Sequence, residues 1–165
     1  MQIETERLTL RRLTTDDIDW LVALQGDPEV ARFMGAYDRV EMAAWLRANQ
    51  EEWTRRGHGR VAIVERASGR LIGRTGLRYW PQFGETELGW ALGPEARGRG
   101  FATEAGRACL DWGFHTLDAE YLTAMINPEN ESAVAVAERL GMRPLRRDLL
   151  LGEPVVVYAI DRADS

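Results

Sequence analysis

The sequence has few of the residues on which several common kinds of site depend. Among 165 residues it has one cysteine, Cys109, two histidines and no lysine, so all 21 basic residues are arginines. A Walker-type phosphate loop requires lysine and is therefore excluded. A single cysteine excludes an internal disulfide framework. With only two histidines besides, the sequence argues against a metal site.

Long apolar runs and a strong positive charge are also missing. No stretch approaches the ~20 apolar residues of a membrane span, and the polar N-terminus does not resemble a signal peptide. The net charge of −5 gives no overall attraction to nucleic acid or anionic lipid. We therefore expect a cytoplasmic protein that binds neither nucleic acid nor membrane. The length and the 45% apolar content predict one globular domain, residues 1–165.

One strand-to-helix turn carries the clearest chemical signal. An alternating segment, 87–92, predicts a strand, and the spacing of small and apolar residues in 100–115 predicts a helix. Between them lie Gly98 and Gly100, each beside an arginine. Backbone N–H groups at a helix start, helped by the helix dipole, bind anions, and glycine lets an anion approach closely. The turn predicts a phosphate-bearing ligand. The alternative is an ordinary strand-to-helix connection that binds nothing.

The remaining pattern predicts a mixed α/β chain. Apolar stripes, capping signals and glycine stops indicate helices, and alternation bounded by turn residues indicates strands. Strands and helices alternate irregularly, which favours a mixed sheet with helices on both faces. The predicted strands are 8–13, 61–65, 71–79, 85–92, 120–126, 143–151 and 154–160, and the predicted helices are one containing Ile18, then 39–55, 100–115 and 131–140.

Three groups of motifs resemble the GNAT acetyltransferase superfamily, in its ribosomal-protein N-terminal acetyltransferase branch. The groups are Arg-x-x-Gly-x-Ala at Arg97, Gly100 and Ala102, the opening 4–11, and the later runs 127–130 and 138–142. They follow that family's order and span nearly the whole chain. The resemblance implies a GNAT-like fold of the α/β (α+β mixed) class. Its central mixed, mostly antiparallel sheet has about six or seven strands, splayed in the middle.

The resemblance also implies a cosubstrate, acetyl-CoA, and the residues that hold it. By this resemblance, the turn binds the diphosphate, mostly through backbone N–H groups. The main chain of the preceding strand binds the pantetheine arm. Two asparagines are candidates for side-chain hydrogen bonds to the same arm, although Asn130 also suits a helix N-cap. The candidate cofactor residues are Trp90, Ala91, Leu92, Arg97, Gly98, Arg99, Gly100, Phe101, Ala102, Thr103, Asn127 and Asn130.

Glu87 is the candidate general base for acetyl transfer to an amine. An ammonium group must lose its proton before it attacks a thioester, and a carboxylate can accept that proton, directly or through water. Alternation places Glu87 on the same strand face as Gly89 and Ala91, where small residues would leave room for a ligand. The alternative is an exposed strand glutamate. Glu85 and Glu153 are the second and third candidates.

The general acid is the weak point of the resemblance. Many family members have a tyrosine where this chain has Ala137, and the ribosomal-protein branch has a serine where this chain has Ala133. Ser132 is the only serine nearby, and it is rotated about 100° from position 133 on a helix. Ser132 is therefore a candidate acid, with a plain first-turn helix residue as the alternative.

By resemblance, the loops at 33–37 and 80–83 wall the acceptor pocket, although aromatic packing explains them equally well. The expected acceptor is a protein N-terminus or a small amine. Exposed aromatic residues and terminal strands are compatible with a homodimer. Two other functions stay open: a catalytically weak module that binds or senses acyl-CoA, and a structural domain whose glycine turn holds nothing.

Overall fold

Eight strands form one sheet in the computed structural model, which describes all 165 residues. The sheet order is β1-β2-β3-β4-β5-β6-β8-β7, and every neighbouring pair is antiparallel except β5 and β6. This confirms the mixed, mostly antiparallel sheet. The strands are β1 (Gln2–Glu4), β2 (Leu8–Arg12), β3 (Arg60–Glu65), β4 (Leu71–Trp80), β5 (Glu85–Leu92), β6 (Tyr121–Ile126), β7 (Arg143–Leu150) and β8 (Glu153–Asp161).

Five helices accompany the sheet, and most begin and end where the sequence has the matching signals. The third begins at a capping box between Asp38 and Glu41 and ends at Gly57, whose φ of +73° is the left-handed conformation that glycine adopts readily. No helix combines the length and the apolar character needed to cross a bilayer. The helices are α1 (Ile18–Gly26), α2 (Pro28–Met34), α3 (Arg39–Arg56), α4 (Phe101–Thr116) and α5 (Glu131–Arg139).

Two elements are absent from the sequence-based prediction. The strand β1 has only three residues, too few for alternation to be visible, and it raises the number of strands to eight. The helix α2 follows Gly26 and begins at Pro28, where Asp27 caps it by accepting a hydrogen bond from Val30 N. Proline at the first helical position starts a helix rather than breaking it. Phe33 and Met34 therefore end a helix instead of opening a loop.

The two faces of the sheet differ in chemistry. The face under α4 is apolar and tightly packed, with Leu77, Leu88 and the buried Cys109 in one core cluster. A methyl group added at Gly113 would lie 2.9 Å from Leu77 Cδ1, so the glycine allows α4 to sit close to the sheet. On the opposite face, Arg74 and Arg78 lie two residues to either side of Gly76 in β4, and Arg60 of β3 is paired with that glycine. Arg74 contacts Gln25 of α1 and Trp45 of α3.

Candidate active site

The sheet opens between β5 and β6. These parallel strands pair only at Glu87 and Thr123, so the five following residues of β5 have no partner on that side. A cavity of about 1400 Å³ occupies the opening and continues under α1 and α2. Of the fourteen residues predicted for cofactor binding or catalysis, every one except Arg99 lines this single cavity.

The turn before α4 presents a run of bare main-chain donors to the cavity. Both Gly98 and Gly100 adopt left-handed backbone conformations, with φ of +72° and +81°. No backbone N–H of residues 98–103 donates a hydrogen bond within the protein, and the first intrahelical bond runs from Glu104 N to Gly100 O. Six consecutive free N–H groups at a helix N-terminus, where the dipole is positive, form a concave site for an anion.

The arginine side chains of the turn point to carboxylates of the protein. Arg97 donates to Asp27 and to the carbonyl of Leu92, and its other nitrogen lies 2.8 Å from Glu29. The hydrogen bond from Arg97 holds the pKa of Asp27 below its usual range. Arg99 lies outside the cavity, 3.1 Å from Glu65. The guanidinium groups of the turn are therefore bound to the protein's own carboxylates, whereas its main-chain N–H groups have no protein acceptor.

Residues of the N-terminal segment form hydrogen bonds to the first turn of α4. Glu104 accepts hydrogen bonds from the Thr5 hydroxyl at 2.6 Å and from Arg7 N and Nε at 2.9 and 2.7 Å. Burial acts to raise the pKa of Glu104, but these hydrogen bonds outweigh it and the pKa is lowered. Arg7 also donates to Arg99 O and stacks on Phe101. The sequence gives no local sign of this contact, which joins residues almost 100 positions apart.

Glu87 is buried at the point where β5 and β6 separate. It is 6% exposed, so the alternative of an exposed strand glutamate is wrong. Its Oε1 accepts hydrogen bonds from Arg60 Nη2 at 2.7 Å and from Trp80 Nε1 at 2.9 Å. Its Oε2 accepts none within the protein, and the residue lines the cavity. Two donors thus fix the carboxylate while one oxygen stays available for a ligand.

The space above Gly89 is not free, contrary to the sequence-based expectation. A methyl group added at Gly89 would lie 2.6 Å from Arg60 Nη1, so the glycine makes room for the guanidinium of Arg60. Arg60 reaches across this position to donate to Gly76 O and to Glu87. The small residue on this face therefore serves the pairing of Arg60 with Glu87 rather than a ligand's arm.

The other two candidate bases have different surroundings. Glu85 is 5% exposed, but Arg146 binds both of its oxygens and Tyr121 donates to one of them. Those hydrogen bonds, with Arg146 first, lower the pKa of Glu85. Glu85 does not line the cavity. Glu153 does, as an exposed residue at the start of β8.

The asparagines and Ser132 lie where β6 passes into α5. Asn130 caps α5 by accepting a hydrogen bond from Ala133 N, and Asn127 accepts one from Glu129 N. Ser132 is exposed and donates to Asn130 Oδ1 at 3.1 Å. The two positions where relatives have a tyrosine or serine remain apolar: Ala137 is fully buried and Ala133 packs against the core.

The far end of the cavity is walled by aromatic residues and arginines. Of the two loops expected there, 33–37 contributes four residues and 80–83 contributes only Trp80. The arginines were missed by sequence reasoning, although their alternation in β4 was a visible signal, since charged side chains are rare on a buried strand face. The residues lining this end are Gln25, Phe33, Met34, Gly35, Tyr37, Trp45, Arg60, Arg74, Arg78, Trp80 and Glu87.

Comparison with known proteins gives concordant matches. A family model described as an acetyltransferase (GNAT) domain matches residues 7–143. An uncharacterized N-acetyltransferase, p20 of Bacillus licheniformis, is 31% identical in an alignment of 149 positions that covers 84% of this chain and 80% of p20. The uncharacterized protein YkkB of Bacillus subtilis is 29% identical and covers 95% of this chain and 94% of its own. The crystal structure of an acetyltransferase from Agrobacterium tumefaciens superposes with a TM-score of 0.86 at 34% identity, over 97% of this chain and 94% of that one.

Proposed function

Since the chain belongs to the GNAT acetyltransferase family, we propose that it transfers the acetyl group of acetyl-CoA to a primary amine by direct attack in a ternary complex. Residues 1–165 act as one catalytic domain. The observation that carries the proposal is the single cavity that joins the free N–H groups of residues 98–103 to the free oxygen of Glu87.

The coenzyme end fits a diphosphate bound by the main chain. A dianionic group is accommodated where several N–H groups converge at a helix start. Added atoms at Gly98 would meet nothing within 4 Å, so the main chain is open to a ligand there. The unpaired edge of β5 at Trp90, Ala91 and Leu92 offers main-chain groups along the line from the turn to Glu87. Asn127 keeps its amide N–H donors free of protein acceptors for the same arm.

Glu87 is proposed as the general base. When bound, the coenzyme supplies a thioester carbonyl, whose carbon is the electrophile. Oε2 of Glu87 accepts a proton from the attacking amine, directly or through water, as the new C–N bond forms and the C–S bond breaks. Arg60 and Trp80 hold the carboxylate through Oε1, so the accepting oxygen keeps its position during the reaction.

The departing thiolate takes its proton from water, from the amine or from Ser132. Ser132 lines the cavity but donates its hydroxyl proton to Asn130 Oδ1. Since the family's tyrosine and serine positions are alanines here, solvent is the simplest source. The acceptor is proposed to be a small amine or a protein N-terminus. A homodimer is compatible with the exposed Leu145, Leu149 and Leu151 on the β7–β8 hairpin.

Ligand-dependent stability and turnover together test the proposal. Acetyl-CoA at ~100 times its dissociation constant should stabilise the protein by about 2.7 kcal/mol, measured by thermal unfolding. Release of free thiol from acetyl-CoA in the presence of a panel of amines measures transfer. Binding without amine-dependent thiol release would favour the sensing module, and the absence of binding would leave a structural domain.

A further inference from the structure

Three arginines share the cavity face of β3 and β4 with one carboxylate. Arg60 lies opposite Gly76 in the sheet register, and Arg74 and Arg78 flank that glycine on β4. Arg60 forms the only ion pair of the three, with Glu87 at 2.7 Å. Because Arg74 and Arg78 bind no carboxylate, this end of the cavity carries more positive than negative side chains.

Arg74 has the least compensated charge. It is 8% exposed, and its only hydrogen-bond partners are neutral: Gln25 Oε1 at 2.9 Å and the sulfur of Met34 at 3.7 Å. Its Nε is buried without any partner, and its Nη1 donates to no protein group. A buried cation without a counter-ion is costly, so natural proteins rarely leave one without reason.

Surrounding residues hold Arg74 in place rather than neutralise it. Gln25 is fully buried and its amide donates to Gly35 O at 2.6 Å, which ties the guanidinium to the loop after α2. The ring of Trp45 lies 4.9 Å from the guanidinium carbon. Burial, and next the charge of Arg60, lower the pKa of Arg74 to about 10, which still leaves it charged at neutral pH. The guanidinium is thus fixed, charged and supplied with unused donors.

Arg78 adds a second unpaired cation at the same end. It forms no ion pair, and its guanidinium carbon lies 3.9 Å from the centre of the Trp80 ring. Arg78 lies directly opposite Glu87 in the sheet register, four residues along β4 from Arg74. Arg74, Arg78 and Glu87 all line the same cavity, so a molecule bound there meets cationic and anionic side chains together.

We propose that the acceptor is an amine that also carries a carboxylate, such as a free amino acid, with the carboxylate against Arg74 and the amine beside Glu87. This inference rests on the proposed acetyl transfer and narrows its acceptor. A carboxylate supplies the missing counter-charge and accepts from the unused guanidinium donors. The amine lies beside Glu87, the one carboxylate that shares this face with the three arginines.

The same charges disfavour the other acceptors. A polyamine or aminoglycoside would bring a second ammonium group against Arg74, where an amino acid brings its carboxylate, and like charges at an interface are strongly unfavourable. The N-terminus of a peptide carries an amide where an amino acid has its carboxylate, so it would leave Arg74 without a counter-ion. Discrimination should therefore depend on the carboxylate itself.

Matched acceptor pairs test this inference. Thiol release is measured with the standard L-amino acids, the α-amide of each, spermidine and a short peptide. The best amino acid should have a kcat/KM at least tenfold above that of its amide. In the Arg74→Gln variant, KM for that amino acid should rise at least tenfold with kcat within about threefold, and the preference for acid over amide should disappear. Arg47→Gln, on the exposed surface of α3, is the matched control.

Other outcomes separate the alternatives. Faster acetylation of the amides, of spermidine or of the peptide would overturn the inference and leave acetyl transfer standing. A preference for O-phosphoethanolamine over β-alanine would assign the arginines to phosphate and also overturn it. Calorimetric titration of amino acids into the CoA-saturated protein decides the matter without turnover: binding weakened at least tenfold by Arg74→Gln supports the inference, and no binding refutes it. Should Arg74→Gln fail to fold, the acid-over-amide preference of the unaltered protein decides the inference: at least tenfold supports it, and no preference refutes it.

Discussion

The two ends of the cavity are built in different ways. At the end proposed for the coenzyme, six consecutive main-chain N–H groups of one turn have no acceptor within the protein, and the arginine side chains of that turn contact Asp27, Glu29 and Glu65. At the end proposed for the acceptor, the polar groups are side chains from α1, β3, β4 and β5 that contact one another. One end depends on local backbone conformation, and the other depends on the tertiary fold. Substitutions should therefore act differently at the two ends.

The largest effect should come from altering the main chain of the turn. In Gly100→Val, a branched side chain must adopt φ near +81° and would place its Cβ 3.4 Å from Arg7 Nη2, so the main chain of the turn must shift together with its free N–H groups. We expect the dissociation constant for acetyl-CoA to rise about 100-fold, measured by calorimetry. Gly57→Val is the matched control, because Gly57 has φ of +73° in open space and does not line the cavity. It should lose about 1–2 kcal/mol of stability and bind acetyl-CoA normally. Equal weakening of binding in both variants would contradict a main-chain site.

The next largest effect should come from Glu87. In Glu87→Gln, the amide oxygen can still accept from Arg60 and Trp80, but the other end of the side chain no longer accepts a proton. Turnover at saturating substrates should fall at least tenfold, while acetyl-CoA binding persists. The control is Glu85→Gln, which makes the same change two residues away on the same strand face, outside the cavity. An unchanged rate in Glu87→Gln would remove Glu87 from the mechanism.

Glu85→Gln should instead change stability, because its ion pair with Arg146 joins β5 to β7. Loss of the charge-assisted pair should lower the free energy of unfolding by about 1–2 kcal/mol at pH 7. The folded-state pKa of Glu85 is lowered, so the stabilisation is present above the unfolded pKa near 4.3 and is lost as pH falls further. Urea unfolding at several pH values should show the two proteins converging below about pH 4. A constant difference down to pH 3 would contradict this account.

The contrast between the two ends also explains what the sequence could reveal. The turn at 97–103 is visible in the sequence because its proposed role depends on adjacent residues with glycine at fixed positions. The pairing of Glu87 with Arg60, and the fixing of Arg74 by Gln25, join residues 27 and 49 positions apart. Periodicity indicates that a residue faces one side of a strand, but not which residue lies across from it. The same limit explains why the expectation of free space over Gly89 is wrong: the sequence does not show that Arg60 lies there.

The smallest effect should come from a side chain at the coenzyme end. Ser132 is exposed and its hydroxyl donates to Asn130 Oδ1, an oxygen that also caps α5. If main-chain groups dominate this end, Ser132→Ala should change kcat and the KM for acetyl-CoA by less than about threefold. Removing the hydroxyl leaves the Asn130 cap on Ala133 N intact, so stability should also be nearly unchanged. A tenfold loss of kcat, with KM and stability unaffected, would instead identify Ser132 as the acid that protonates the thiolate. The coenzyme end would then also depend on side-chain chemistry.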